Sequence, residues 1–155
     1  MRISVLAFSF IFLVPAAFAQ PSYSTRSSEP AVRAVVMELF DAMRAGDSTR
    51  VRDVFHEDAR LHSSFSRGGV PTVGGGSSAD GFVEAVGSPH DEVWNERVGD
   101  IHVRVDDGLA TAWMDYTFYL GETRSHCGVN AIQLVLTEEG WKMLNIVDTR
   151  RSGCE

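Results

Sequence analysis

The side chains best suited to chemistry in this sequence lie near its carboxyl end, in HCGVNAIQLVLTEEGWKMLNIVDTRR, residues 126–151. The segment is apolar along most of its length, yet it carries His126, Asn130, Asp148 and Arg150. A carboxylate buried beside a histidine can act as a general base, because burial raises its pKa while the histidine orients it or donates a hydrogen bond. Asp148 is therefore a candidate base and His126 a candidate acid. The alternative is that these groups only satisfy one another across adjacent strands, since structural networks also perturb pKa values.

Three long strands joined by short turns would position these groups. Alternating apolar residues predict strands over residues 109–120, 124–137 and 141–150, and the breaks between them are hairpin signals. A two-residue turn at Gly121-Glu122 would place Trp113 opposite Asn130. A three-residue turn over EEG would place Asn130 opposite Asp148.

This register predicts one face that carries the whole candidate site. Asp115 becomes a second candidate base on that face, and His62, on an earlier strand, is expected to face the same cavity. The predicted ligand-binding residues are His62, Trp113, Asn130, Arg150, Ile132 and Ile146. The opposite face is also apolar and would need a cover; it would carry Ala112, Met114, Tyr116, Phe118, Val129, Ala131, Val135, Met143 and Val147.

The rest of the chain predicts an α+β fold. The predicted order is a helix over residues 31–43 with Ser28 as its N-cap, a short helix capped by Asp47, one strand, a glycine-rich loop over residues 66–78, a short helix over residues 79–86, and a meander of four strands that begins with residues 93–105. A strongly bent, mostly antiparallel sheet of this kind can wrap the first helix and leave a cavity at its open end.

Three stretches resemble a known superfamily: VFHEDARL after the second helix, LATAWMDYTFYL in the middle strand, and the final hairpin. They look like the nuclear-transport-factor-2-like superfamily, and within it the secreted bacterial proteins labelled "putative lumazine-binding". The resemblance covers about residues 30–151. It implies a cone-shaped α+β barrel with an internal pocket and frequent homodimers. Its relatives range from ketosteroid isomerase and polyketide cyclases to non-catalytic binders, so the fold does not decide the function.

Ketosteroid isomerase relatives use a tyrosine and a second acid to hold an oxyanion. The predicted register puts Tyr116 on the opposite face from Asp148, so that chemistry is not carried over to this chain.

The amino-terminal residues predict export. Residues 1–19 combine Arg2, an apolar run and Ala17-Phe18-Ala19, which is typical of a secretory signal peptide cleaved before Gln20. We expect a disordered lead over residues 20–29, one domain over residues 30–151, a tail over residues 152–155, and a secreted or periplasmic location. Removing Arg2 with the signal peptide changes the formal net charge from −7 to −8. Such an acidic chain excludes nucleic acid and, after cleavage, an anionic membrane as expected partners.

Export would also place the two cysteines in an oxidising compartment, where they can form a disulfide. In the predicted register Cys127 lies opposite Arg151, and Arg151 is three residues before Cys154. The two cysteines can therefore form a disulfide in an oxidising compartment. The alternative is two free thiols. The histidines form none of the common metal motifs, so we expect neither a metal site nor a cofactor.

Three functions are compatible with these features. The first is an exported protein that binds an unknown small molecule in a partly apolar pocket. The second is a proton-transfer enzyme, an isomerase, dehydratase or cyclase, that uses Asp148 or Asp115 with His126. The third is a homodimeric interaction module in which the apolar outer sheet face drives assembly.

Overall fold

The computed structural model describes residues 29–154, apart from the side chain of Ser77. Within this range the helices are α1 (Glu29–Ala45), α2 (Ser48–Val54) and α3 (Asp80–Gly87), and the strands are β1 (Phe55–Arg67), β2 (Val70–Ser78), β3 (Trp94–Val98), β4 (His102–Asp106), β5 (Leu109–Leu120), β6 (Thr123–Thr137) and β7 (Gly140–Arg150). The predicted signal peptide and the Ser28 N-cap lie outside the described residues.

Helix α1 forms where apolar residues recur every three or four positions, and its buried stripe includes Val32, Val36, Leu39 and Met43. At the start of α2 the Asp47 side chain accepts a hydrogen bond from the Arg50 backbone N–H at 3.1 Å, which confirms the predicted cap. No helix in residues 29–154 is long and apolar enough to cross a membrane.

The strands form one strongly curved sheet that packs against the helices and does not close into a barrel. Its order is β2-β1-β7-β6-β5-β3, with β4 also paired to β5. The β1–β7 pair is parallel and the other pairs are antiparallel. The α+β class and the mostly antiparallel, bent sheet are as the sequence predicts.

Two predicted elements are wrong. Most of the expected loop over residues 66–78 is strand β2, which forms a hairpin with β1 across a turn at Gly68 and Gly69, both at positive φ. The glycines indicated a loop because glycine weakens an isolated strand. Pairing with β1 nevertheless stabilises strand β2. The expected strand over residues 93–105 is divided into β3 and β4, which pair with successive parts of β5.

The register between β5 and β6 also differs from the prediction. Leu120 pairs with Thr123, as expected, but Ser125 is an extra residue in β6, so Phe118 pairs with His126 instead of Thr117. This bulge shifts the remaining pairs by one position. Because side chains alternate between the faces of a strand, the shift exchanges the two faces of β5.

In the β6–β7 hairpin two deviations cancel. The turn has two residues, with Thr137 opposite Gly140, and a bulge at Leu144 then adds one position to β7. Leu134 consequently pairs with Met143, not with Leu144 as predicted. Beyond the bulge the predicted register returns, and Asn130 lies opposite Asp148.

Candidate functional site

A cavity of about 200 Å³ lies between α1, α3 and the inner face of the sheet. Its walls are apolar on the helix side and polar where β1, β3, β5, β6 and β7 converge. The apolar lining is Leu39, Phe40, Met43, Leu61, Phe82, Ile132 and Ile146; the polar lining is His62, Ser63, Glu96, Tyr116, Asn130, Asp148 and Arg150. An apolar space of about 150 Å³ can hold benzene, so this cavity suits a molecule of one or two rings.

Asp148 is the acceptor for a hydrogen-bond network at the polar end. It is 9% exposed. Its Oδ1 accepts from the Ser63 hydroxyl, and its Oδ2 accepts from the Tyr116 hydroxyl at 2.9 Å and from Arg150 Nε at 3.0 Å. Three donors, one of them cationic, replace the water that a buried carboxylate loses. Asp148 is thus both part of a structural network and part of the cavity wall.

The Tyr116 side chain reaches Asp148 because its partner on β6 is Gly128. A Cβ atom at Gly128 would lie 2.8 Å from Tyr116 Cε1 and 1.7 Å from the Thr149 carbonyl oxygen. The Tyr116 hydroxyl also donates to that carbonyl oxygen at 3.0 Å. Burial, followed by the negative charge of Asp148, raises the pKa of Tyr116, so it remains a neutral donor.

Glu96 supplies a second carboxyl group to the cavity. Asn130 Nδ2 donates to its Oε1 at 2.7 Å, and among the described residues Asn130 is the one hydrogen-bond partner of the Glu96 side chain. Burial raises the pKa of Glu96 to about 7, and the charge of Asp148 adds to the rise, whereas the Asn130 hydrogen bond and the charge of Arg150 oppose it. The site therefore contains two carboxyl groups in different environments.

Two predicted site residues lie outside the cavity. Trp113 and Asp115 project from the outer face of β5, where Trp113 is 56% exposed. The predictions failed because the Ser125 bulge exchanges the faces of β5. The same shift places Ala112, Met114, Tyr116 and Phe118 on the inner face, and Met143 is also buried in the core.

His126 is near the cavity but forms no pair with Asp148. Its ring lies against Phe118 and Tyr116, with centroids 5.0 and 5.7 Å apart, and its Nδ1 lies 3.1 Å from the Ser125 hydroxyl oxygen. Burial lowers the pKa of His126, the charge of Arg150 adds to this effect, and Asp148 opposes it. The expected Asp148–His126 pair is thus not assembled.

The other predicted site residues lie together around the cavity. His62, Asn130, Ile132, Ile146, Asp148 and Arg150 all line the cavity. The Arg150 side chain is 55% exposed and lies at the edge of the site, whereas Asn130 is buried. The roles assigned to these residues remain predictions.

The structure joins Cys127 and Cys154 in a disulfide, with a Cα–Cα distance of 5.9 Å. The bridge follows a short ladder in which the backbone groups of Cys127 and Arg151 exchange hydrogen bonds of 3.0 and 2.9 Å. It therefore fastens the chain just beyond β7 to β6, within a few residues of Asp148 and Arg150.

A family comparison adds to this geometry. The family model described as "Putative lumazine-binding" matches residues 27–147. The chain belongs to this family. Comparison with curated proteins gave no significant match.

Several solved structures of other proteins have the same fold as this chain. An NTF2-like protein of unknown function from Shewanella baltica aligns with a TM-score of 0.64 and 14% identity, over 86% of this chain and 100% of the other. An NTF2-like protein with a cystatin-like fold from Novosphingobium aromaticivorans gives 0.63 and 14%, over 79% and 81%. A protein of unknown function from Mycobacterium tuberculosis gives 0.62 and 14%, over 77% and 69%. These alignments show that the chain has the NTF2-like, cystatin-like fold.

Sequence reasoning missed Glu96, although β3 carries a signal for it. Glu96 alternates with Trp94 and Val98, and both of these pack against the core. A carboxyl group between two core-facing residues of one strand is expected to be at least partly buried, which is informative because buried acids are rare. Ser63 and Tyr116 were also missed as site residues.

A larger groove of about 810 Å³ lies elsewhere, near α2 and the β6–β7 turn. It is open to solvent, and four of its charged side chains form two ion pairs: Arg52 with Asp80, and Lys142 with Glu139. Across residues 29–154 no group of three His, Cys, Asp or Glu side chains could hold a metal ion. The inner cavity is the better candidate site because it combines enclosure with unequal carboxyl groups.

Proposed function

We propose that this chain is an exported protein that binds a small, partly apolar molecule in the inner cavity. The observation that carries the proposal is the cavity itself, where an apolar wall from α1 and α3 faces a fixed set of polar groups. Binding sites for small molecules have this character, with a few placed polar groups in a mostly apolar enclosure.

The family description suggests the first ligand to test. Lumazine has two fused rings that carry carbonyl groups and ring nitrogens, a size and polarity compatible with a cavity of about 200 Å³. We propose lumazine as a probe of the site, together with simple two-ring compounds of similar size.

Isothermal titration calorimetry with a matched pair of variants tests the proposal. Ile146 and Val147 are neighbours on β7; Ile146 lines the cavity and Val147 is 37% exposed on the outer face. Ile146→Phe should fill part of the cavity and weaken binding of lumazine or a two-ring probe by at least about tenfold, roughly the effect of losing one buried group's contacts. Val147→Phe adds a ring to the opposite face and should leave binding unchanged.

Equal binding by both variants would place the ligand elsewhere. Absence of binding by any probe to the folded wild-type protein would count against the proposed function altogether.

Export is supported by residues 1–19 and by the disulfide, a bond that persists in oxidising compartments. The mature chain should begin at Gln20. Intact mass or amino-terminal sequencing of protein recovered outside the cytoplasm checks this expectation, and retention of residues 1–19 would contradict it.

Proton transfer is a second candidate function, favoured by the pKa of Glu96 near 7, where a carboxyl group can both accept and donate a proton. In this alternative Glu96 takes the role expected for Asp148, because both Asp148 oxygens already accept hydrogen bonds. Glu96 would accept a proton from a carbon next to a carbonyl group, the C–H electrons would form a C=C bond while the C=O π electrons move to oxygen, and a proton from Glu96 would return to carbon as the carbonyl re-forms.

Deuterium exchange detects this chemistry without a known substrate. Incorporation of solvent deuterium beside the carbonyl of 1-indanone, catalysed by the wild type and lost in Glu96→Gln, would support an enzyme. Deuterium exchange into 1-indanone at the uncatalysed rate would contradict the proton-transfer hypothesis and favour ligand binding as the function.

A further inference from the structure

Four hydrogen-bond donors at the polar end of the cavity are already engaged by acceptors of the protein. Ser63, Tyr116 and Arg150 Nε donate to Asp148, and Asn130 donates to Glu96. A ligand that needs a donor from one of these groups must compete with an existing bond. Leaving a buried acceptor without its donor costs at least as much as one new hydrogen bond contributes.

The proton of the Glu96 carboxyl group differs from these four donors. Asn130 occupies Oε1 and is the one hydrogen-bond partner of the Glu96 side chain among the described residues, so a proton on Oε2 has no acceptor among them. The side chain retains some exposed surface, and it lines the cavity. Arg150 has further N–H groups, but its side chain is 55% exposed, where water competes for them.

We propose that Glu96, in its protonated form, determines ligand specificity by donating a hydrogen bond to an acceptor on the ligand, a carbonyl oxygen or an aromatic ring nitrogen. This inference rests on the proposed function, because it assigns the ligand class of the same cavity. It goes beyond that function by naming the group that recognises the ligand and the protonation state in which it does so.

The charged groups around Glu96 agree with a neutral ligand. β7 contributes the Asp148–Arg150 ion pair, β5 contributes the neutral hydroxyl of Tyr116, and His62 of β1 lies in the same cavity. β6 contributes only an uncharged amide here, and the α1 residues in the lining are apolar. With Glu96 protonated, the carboxyl and guanidinium charges of the cavity therefore cancel, which agrees with a neutral ligand.

Proton linkage gives this proposal a measurable consequence. Burial raises the pKa of Glu96 to about 7, so the donor is present below that pH and is lost above it. Affinity for a neutral acceptor should therefore be constant in weak acid and should fall as the pH rises through 7.

The test uses three probes with one two-ring skeleton: 1-indanone, which has a carbonyl; indane, which lacks it; and 1-aminoindane, which is a cation at about pH 6. At about pH 6 the wild type should bind 1-indanone roughly tenfold more tightly than indane, the effect of one net hydrogen bond. At about pH 9 that preference should disappear, because ionised Glu96 cannot donate. Indane should bind equally at both pH values.

Variants assign the pH effect to one residue. Glu96→Gln keeps an amide donor that does not titrate, so its preference for 1-indanone should persist at both pH values. His62→Gln should retain the wild-type loss of preference at high pH. Asp115→Asn, on the outer face, should behave as the wild type in every respect.

Failures of the two proposals give different results. If no probe binds the wild type, the proposed function fails and this inference fails with it. If indane and 1-indanone bind equally well at about pH 6, the cavity binds ligands but Glu96 does not select them. A pH effect that survives in Glu96→Gln or vanishes in His62→Gln would also overturn the inference, as would tightest binding of 1-aminoindane.

Discussion

The Tyr116 hydroxyl donates a hydrogen bond of 2.9 Å to the Asp148 carboxylate, across a β6 position where Gly128 leaves room for the ring. This contact links β5 to β7 although β6 lies between them in the sheet. It makes Asp148 a structural residue as well as part of the cavity wall. The two roles can be separated experimentally.

Asp148→Asn should destabilise the protein by about 3 kcal/mol. An asparagine offers one oxygen where Asp148 uses two to accept from Ser63, Tyr116 and Arg150, so at least one buried donor loses its acceptor. Urea denaturation checks this value. Asp115→Asn on the exposed outer face is the matched control and should change stability by less than about 0.5 kcal/mol. Equal stability of the two variants would mean that the Asp148 network contributes little to folding.

The alternation of apolar and polar residues in β5 shows which features of this strand can be predicted from the sequence. In LATAWMDYTFYL the even-numbered residues from Ala110 to Phe118 face inward, and the polar Thr111, Asp115 and Thr117 lie on the other face. The strand and its bounds are predictable from this pattern. The faces were assigned wrongly because they depended on a register counted from the turn, and the bulge at Ser125 has no sequence signature of its own.

The candidate site was partly predictable for the same reason. Asn130, Asp148, Arg150, Ile132 and Ile146 come from β6 and β7, where the predicted register holds at the site. Glu96 and Ser63 come from strands that the chain brings in from a distance. Their proximity to Asp148 depends on the β3–β5 and β1–β7 pairings, which local patterns do not specify.

Glu96→Gln should stabilise the protein increasingly as the pH rises from about 4.5 to about 7. The pKa of Glu96 is about 7 in the folded state and about 4.5 when solvated, so between these values the folded state binds the additional proton. The free energy of unfolding of the wild type therefore falls with rising pH in this window and is level above it. This difference in pKa corresponds to at most about 3 kcal/mol in the free energy of unfolding. Because the Glu96 side chain remains partly hydrated, the expected stabilisation by Glu96→Gln is roughly 2 kcal/mol.

Thermal or urea unfolding of the wild type and Glu96→Gln at several pH values measures this difference. A constant difference across the window would show that Glu96 ionises in the folded protein as it does in water.

The Cys127–Cys154 disulfide should be intact in the exported protein. It closes a loop with a sequence separation of 27 residues, for which chain entropy gives about 3 to 4 kcal/mol of stabilisation. Unreduced, denatured protein should not react with an alkylating agent, whereas reduced protein should gain two adducts. Two adducts without reduction would show that the thiols are free.

The outer sheet face should mediate formation of a homodimer. Trp113 is 56% exposed there beside Val147, and exposed apolar patches of this kind are typical of protein interfaces. Sedimentation velocity at micromolar concentration should show a dimer in the wild type and a monomer in Trp113→Glu. Thr111→Glu, on the same strand face, is a control for added charge alone, since it leaves the indole in place. A wild-type monomer at this concentration would contradict the proposal.

The central claim, that the inner cavity binds a small molecule, is tested most directly by methyl NMR of isoleucine-labelled protein. Ile132 and Ile146 line the cavity, whereas Ile101 is buried in the core and does not line it. During titration with lumazine, or with 1-indanone at about pH 6, where Glu96 with its pKa near 7 is protonated, the Ile132 and Ile146 methyl signals should shift in a saturable way while Ile101 stays in place. Saturable binding that leaves Ile132 and Ile146 unmoved would contradict the claim.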